Sequence, residues 1–500
     1  MSNPAPEEDH QKIPDTPFPS DFFAESSVNQ ISTGLSHEFI SIPASSNSAY
    51  YTVDAGFYED RTKAENIKIE LDAKGFDTWI HPVSDPISPE RMIGYVVRSG
   101  KFENSSQAEK RLSDLQDHGF EAAQITYSLY EGTTQLSGPL EIHILELNPT
   151  KFKGTIKNGL ALDQISGREK LTKISSRKNA LAAINGGYFV MEEEDGVPGT
   201  PAGLTILNGE IISEAAGNRT ILSFKGNTPD IKEARSSLKV ETPNGDFKRI
   251  HGINRQPGLI RNCGGFIHGE LTKPKHDVTC TKKNELIVFT SLFGERTPEG
   301  NQLEIVLDEA GLVTSIHDNG DNPIPENGSI ISATGEETQW FDQNAKVGTR
   351  FKVHSSVYTD GSEMEISEEA FIVNGAPALI KDGSISISPQ REGFQWSSSF
   401  YYYFGLNRHP RTLVGIKDNG NVLFITADGR NPEKSIGLSF YESALLLKEL
   451  GAIDGMNLDG GGSTSMVIDH KLVNSPSDQA GERAIGDALI FTRPVALDDQ

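Results

Sequence analysis

The feature that most restricts the fold is a duplication. Residues Tyr51 to Val83 align without gaps on Tyr95 to Tyr127 at an offset of 44, with nine identities in 33 positions. The matches include Tyr51/Tyr95, Val53/Val97, Ala64/Ala108, Leu71/Leu115 and Gly75/Gly119. Each copy opens with a short alternating strand and a glycine turn. An amphipathic stretch follows, then a glycine stop and a second strand. Two β-α-β units in succession supply one sheet and two helices, a self-contained module spanning 50–130.

The flanks differ in character. Residues 1–49 are rich in Ser and Pro with few large apolar groups and read as a flexible tether. From 132 to 496 the chain carries many short β runs, such as Leu286 to Thr290 and Val422 to Thr426, punctuated by Gly, Asn and Asp. Helix signals stand out at Ser175 to Ile184 and Leu438 to Leu450. Sparse helices among many strands predict an α+β fold, a strand-rich mixed-sheet domain preceded by the small module. Lys plus Arg number 46 against 70 Asp plus Glu, a net charge of −24. That field has the wrong sign for nucleic acid, and any anionic ligand needs a local Arg cluster to overcome it. No apolar run approaches the roughly 18 residues of a membrane span. Met1 to Gln11 is polar and acidic, unlike a secretory leader, so the reading is either a cytoplasmic chain or one whose leader is absent from this sequence. Cys263 and Cys280 are either two separate thiols or, in an exported protein, one disulfide closing a loop.

Several segments have the composition of a site. Asn457-Leu458-Asp459-Gly460-Gly461-Gly462-Ser463 joins an unshielded backbone, whose N–H groups can approach a ligand oxygen, to a carboxylate at the mouth of the loop. Without Gly-Lys-Ser/Thr it is no phosphate loop of the nucleotide-binding type. Asn185-Gly186-Gly187-Tyr188-Phe189 ends an apolar run in a tight turn with an amide that both donates and accepts. Arg408-His409-Pro410-Arg411-Thr412 and Asp428-Gly429-Arg430 set arginines and a carboxylate at neighbouring strand ends, and Arg forks match phosphate oxygens. Glu442 lies on an otherwise apolar helix, where its carboxylate points inward as an arginine's structural partner or as a catalytic group. His409, beside proline, reads as a turn residue. Asp318-Asn319-Gly320-Asp321-Asn322 lacks the spacing of a calcium loop and reads as a polar turn, so metal use stays open. Ser175-Ser176-Arg177-Lys178 fits Ser-x-x-Lys, but the companion motifs of serine β-lactamase-like hydrolases are absent.

The duplicated module resembles the SPOR domain. That resemblance implies a ferredoxin-like sheet whose exposed face binds peptidoglycan glycan strands in a bacterial cell envelope, and an independent address for the rest of the chain. In order, the Asn185 to Phe189, Gly252 to Asn254, Pro410 to Thr412, Asp428 to Arg430, Ser435 to Glu442, Asn457 to Ser465 and Asn474 to Asp478 segments, the last followed by Glu482-Arg483, resemble the phosphodiester glycosidase family. Two departures occur, Asn374-Gly375-Ala376-Pro377 and an apparent insertion at Arg261 to Lys283. This second resemblance implies hydrolysis between a sugar's anomeric carbon and a phosphodiester oxygen, without a cofactor, in a periplasmic or extracellular setting. It implies that Asp459, Asp428 and Glu442 serve an oxocarbenium-like centre and that Arg411 and Arg430 serve the phosphate. Asn185, Gly186, Gly187, Asn457, Gly460, Gly461, Gly462, Ser463 and Asn474 would complete the substrate site. The competing readings are a cell-wall or exopolysaccharide glycosidase without phosphate, and a non-catalytic glycan-binding envelope protein.

Overall fold

The computed structural model describes residues 26–44, 49–263, 278–394 and 396–493, with backbone alone for 266–267, 270–271 and 274–276. Strands β1 (Ser26–Ser32) and β2 (Leu35–Ile42) form a hairpin. The duplicated module follows as β3 (Tyr51–Tyr58), α1 (Arg61–Ala73), β4 (Thr78–Ser84), β5 (Met92–Phe102), α2 (Ser105–Asp117) and β6 (Gln124–Tyr127). The chain then re-enters the main body through β7 (Leu140–Leu147).

Both module helices begin on side-chain caps: Asp60 accepts from the Lys63 N–H and Asn104 from the Gln107 N–H. Their repeat-equivalent Ala64, Leu71, Ala108 and Leu115 are fully buried against Val53 and Val97 of the sheet, whose order is β4-β5-β3-β6. The opposite face of that sheet is not open. Val83, Ile93 and Val96 belong to the same apolar cluster as Tyr401, Tyr402 and Leu406 of the main body. Asp54 and Arg98, which occupy the same position of the two repeats, sit directly opposite on β3 and β5. Arg98 Nε donates to Asp54 Oδ1 at 3.1 Å and its Nη2 to Tyr402 Oη at 2.8 Å. The expected open ligand face is therefore covered, because an ion pair in the middle of the sheet is satisfied by a tyrosine from outside it.

The expected tether also needs correction. Residues 1–25 and 45–48 lie outside the described residues, but β2 pairs with β7 over eight consecutive positions from Leu35↔Leu147 to Ile42↔Leu140. The hairpin thus forms one edge of the main sheet, and the module is inserted between two strands that are hydrogen-bonded neighbours. Composition hid this because Ser-rich edge strands carry little apolar signal; β1 is exposed over most of its length.

The main sheet runs β1, β2, β7, Val422–Ala427, Arg411–Lys417, Ala452–Asn457, Ala378–Lys381 and Ser384–Ile385. Strand alternation sends Ile142, Ile144, Leu413 and Ile425 to one face, against the helix Phe440–Glu449. Leu145, Leu147, Val414 and Phe424 face the other way, against a second sheet built on Ala180–Asn185 and Asp487–Thr492. Two further strand-rich layers, from Thr205 to Asn374, close the body. The antiparallel pairings Arg411↔Ala427 and Leu413↔Asn457 bring the 408–411, 428–430 and 457–462 segments to one end of the main sheet.

Candidate functional site

At that end lies a cavity of 370 Å³ whose walls include Asp459, Arg411, Arg430, Arg483, Arg219 and His409. Tyr188, Phe394, Phe400 and Phe404 supply an aromatic side.

The Asp459 loop is held by groups distant in sequence. Asn185 Nδ2 donates to the Asp459 carbonyl at 2.8 Å, while its Oδ1 accepts from Thr412 Oγ1 at 2.7 Å and Ser465 N at 3.1 Å. Asn457 Nδ2 donates to Tyr188 Oη at 2.7 Å, so this amide fixes the aromatic wall. Gly461 has φ +60°, and a side chain there would press within 3.2 Å of the Arg430 guanidinium. A Cβ on Gly462 would overlap the Asp478–Arg483 ion pair. The glycine run thus lets two arginines approach the loop.

Burial pushes the Asp459 carboxyl up to about 6, against the opposing pull of Ser463, Arg483 and the Gly460 N–H, which donates to Oδ1 at 2.9 Å. A second carboxyl lies behind it. Asp487 accepts from Gly187 N at 3.0 Å; burial, with Asp459 adding repulsion, raises it to about 7, and its Oδ2 has no partner. Gly186 and Gly187 therefore pack against Asp487, and a Cβ on Gly186 would collide with its carboxylate.

The arginines are unusual in what they lack. Arg411 is 1% exposed, stacks 4.3 Å over Phe440 and donates to the carbonyls of Leu438 and Phe404. Arg219 is 6% exposed, lies over Phe394, and its Nη1 is buried without a hydrogen-bond partner. Among the described residues neither is ion-paired to a carboxylate, nor is Arg430. Desolvation lowers both buried guanidinium groups to about 10, which leaves them charged at neutral pH. His409 Nε2–H donates to the Tyr403 carbonyl at 2.6 Å, which turns the Nδ1 lone pair toward Arg430 Nη2 at 3.3 Å. Burial, then Arg411 and Arg430, hold this imidazole down at about 3, so it is neutral.

Two expected catalytic carboxylates lie elsewhere. Glu442 is fully buried: it completes a capping box with Ser439, and both its oxygens accept from Arg408 Nε at 3.0 Å. Asp428 accepts from Asn474 Nδ2 at 2.9 Å and Ser475 N at 2.8 Å, clamping the loop after Met466–Ile468. Neither lines the cavity. Asn474, likewise, bonds Thr464 O and Met466 N and acts as part of that clamp. The structure adds Arg219, Arg261, Arg483, His409 and Asp487. Arg483 belongs to the last of the ordered segments, though with no site role expected for it, whereas nothing around Arg219 in the sequence marks it. Cys263 and Cys280 form a disulfide with Cα atoms 5.9 Å apart. The 318–322 turn is tied down by Arg296–Asp321 and Asn322–Glu304, and no group of three metal-ligating side chains occurs among the described residues. No helix among them is long and apolar enough to cross a membrane.

Residues 301–492 match the family model described as phosphodiester glycosidase, and residues 47–126 match the SPOR domain. N-acetylglucosamine-1-phosphodiester alpha-N-acetylglucosaminidase of Mus musculus is 28% identical over 165 residues, 31% of this chain and 30% of that protein. The SPbeta prophage-derived protein YomE of Bacillus subtilis (strain 168) is 37% identical over 87 residues, 17% of this chain and 13% of its own length. The chain thus spans less than a third of either relative. A crystal structure from Burkholderia pseudomallei K96243, of a protein described as exported, superposes with a TM-score of 0.85 at 25% identity, covering 94% of this chain and 96% of that one. The chain therefore combines a SPOR domain with a C-terminal domain of the phosphodiester glycosidase type.

Proposed function

We propose that this protein is a hydrolase of the bacterial cell envelope that cleaves a sugar-1-phosphodiester, of the N-acetylglucosamine-1-phosphodiester kind, at the anomeric carbon–oxygen bond. The observation that carries the reading is the cavity itself: one carboxylate beside buried arginines that have no carboxylate partner. Unpaired buried charge is costly, and a bound anion relieves it. In the reaction the bond between the anomeric carbon and the bridging oxygen breaks, and its electron pair leaves with the phosphate. Water supplies the oxygen that replaces it, giving free sugar and a phosphate monoester. Such a leaving group needs little protonation, which suits a site whose histidine is neutral and whose strongest donors are guanidinium groups. Asp459, ionised above about pH 6, stabilises the positive charge that develops at the anomeric carbon. The aromatic side offers a stacking surface for the sugar.

Turnover of a chromogenic sugar-1-phosphodiester by the full chain, with the released sugar and phosphate monoester identified, tests the reading. Absence of turnover across a panel of such sugars would defeat it. Targeting to peptidoglycan rests on the SPOR match, and pelleting of the full chain with purified sacculi tests it. The covered sheet face leaves the helical side of the module among its exposed surfaces.

A further inference from the structure

The cavity does not end behind the candidate site. Arg219 and Asn262 line it and also line an adjoining cavity of 450 Å³, whose other walls include Asn218, Arg235, Gln390 and Arg391. Among the described residues the only carboxylate there, Glu392, is occupied: its oxygens accept from the Thr220 and Ala378 N–H groups, each at 2.9 Å. Arg219 stands at the boundary with its Nε committed to the Glu392 carbonyl and its Nη1 buried and unpartnered. Arg391 is held by Glu233 at 2.6 Å, and Arg235, on the exposed side of its strand, makes no ion pair among the described residues. Further along, a third cavity of 570 Å³ shares Asn218, Arg235 and Arg391, but there the lining is mixed: Asp230, Glu233, Asp360, Asp382 and Asp454 stand with Lys232 and Lys381, and Lys232 pairs with Asp230 at 2.9 Å and Asp360 at 3.7 Å. The arginines run from Arg411 past Arg219 to Arg235 and Arg391, within a chain whose net charge is −24.

Accordingly, we infer that the second cavity is a binding subsite for another phosphate of the same substrate, and that the substrate class is an oligomer or polymer of phosphodiester-linked sugar units. A single sugar phosphodiester fills the Asp459 cavity and leaves the second one empty. A chain that carries phosphate at each repeat presents its next anion where Arg219, Arg235 and Arg391 lie. This inference rests on the hydrolase reading and deepens it by naming the substrate class.

The test compares two substrates with the same scissile linkage on the full chain: one with a short neutral alcohol beyond the phosphate, the other with two further phosphodiester units. The longer one is expected to show a KM lower by about tenfold, the contribution of one charge-assisted hydrogen bond. Arg235→Gln combined with Arg391→Gln should raise KM for the longer substrate by about that factor, steepen no other parameter and leave the short substrate unchanged. Added salt should weaken the preference in the parent protein and not in the variant. Equal KM for the two substrates, or a variant that affects both alike, overturns the subsite while the hydrolase reading stands. If neither substrate turns over, the hydrolase reading fails. Calorimetric binding of the longer substrate to parent and variant then decides the subsite alone, and equal affinities overturn it.

Discussion

Among single residues, the largest consequences follow from Asp459. Asp459→Asn keeps the volume, the Gly460 hydrogen bond and the Asn185 contact, and removes only the charge. We expect kcat to fall by roughly two to four decades, about 3 to 5 kcal/mol, with thermal stability retained. A folded variant with near-parent kcat would remove Asp459 from the reaction. On the proposed reading the ionised form is the active one, so kcat of the parent should rise with pH through about 6 and then level off. Glu442→Gln should do the opposite. Removing one charge of the Arg408 pair strands a buried guanidinium and costs roughly 3 to 5 kcal/mol of stability. Enzyme that remains folded at low temperature should keep kcat within a few-fold, and a loss of several decades would return Glu442 to the reaction. The inward direction of Glu442 follows from the apolar helix around it. Its partner is set by the fold, because Arg408 lies 34 positions away and meets it only through the helix docking on the sheet.

For the elements, the duplication and the buried ion pair pull in different directions. Ala64/Ala108 and Leu71/Leu115 repeat because both helices pack on one sheet face, and that much is legible by eye. Asp54 and Arg98 occupy a repeated position that has diverged into opposite charges, and their meaning depends on Tyr402, more than 300 positions downstream. Burial raises Asp54 to about 6 despite Arg98, and Tyr402 and Tyr403 lie in its field. Tyr403 and Phe404 line the site, so the module braces one wall of the cavity. Arg98→Met should therefore lower thermal stability and also raise KM for a small soluble substrate. A variant whose stability falls while KM stays fixed would confine Arg98 to a packing role.

Taken as a whole molecule, the chain is less divisible than its sequence suggests. Excising residues 50–130 would uncover Tyr401, Tyr402 and Leu406 and leave β2 and β7 joined without the mass that covers them. We expect the shortened chain to lose stability and turnover together, as thermal denaturation and the soluble-substrate assay would report. Full turnover in a stable truncated chain would restore the module as a separable address. The buried carboxyls also give the whole fold a pH signature. Asp54, Asp428 and Asp459 stand near 6 and Asp487 near 7, all above the ordinary aspartate value of 3.8. Between about pH 4 and 7 the unfolded chain has released these protons while the folded chain retains them, so stability falls as pH rises across that window. Asp487→Asn keeps an acceptor for Gly187 and should flatten the fall, which melting temperatures at successive pH values would show. By itself the sequence determined the β-α-β duplication, the strand-rich body, the glycine loop that presents Asp459 and the neighbouring Arg411 and Arg430, since these depend on periodicity, turn chemistry and local spacing. Only the tertiary structure decided that the first strands join the main sheet, that the module's sheet is covered, that Glu442 and Asp428 lie outside the cavity lining and that Arg219 reaches the cavity. Each of those is set by which distant groups share a low-dielectric interior, where a charge or amide must find its partner across hundreds of residues.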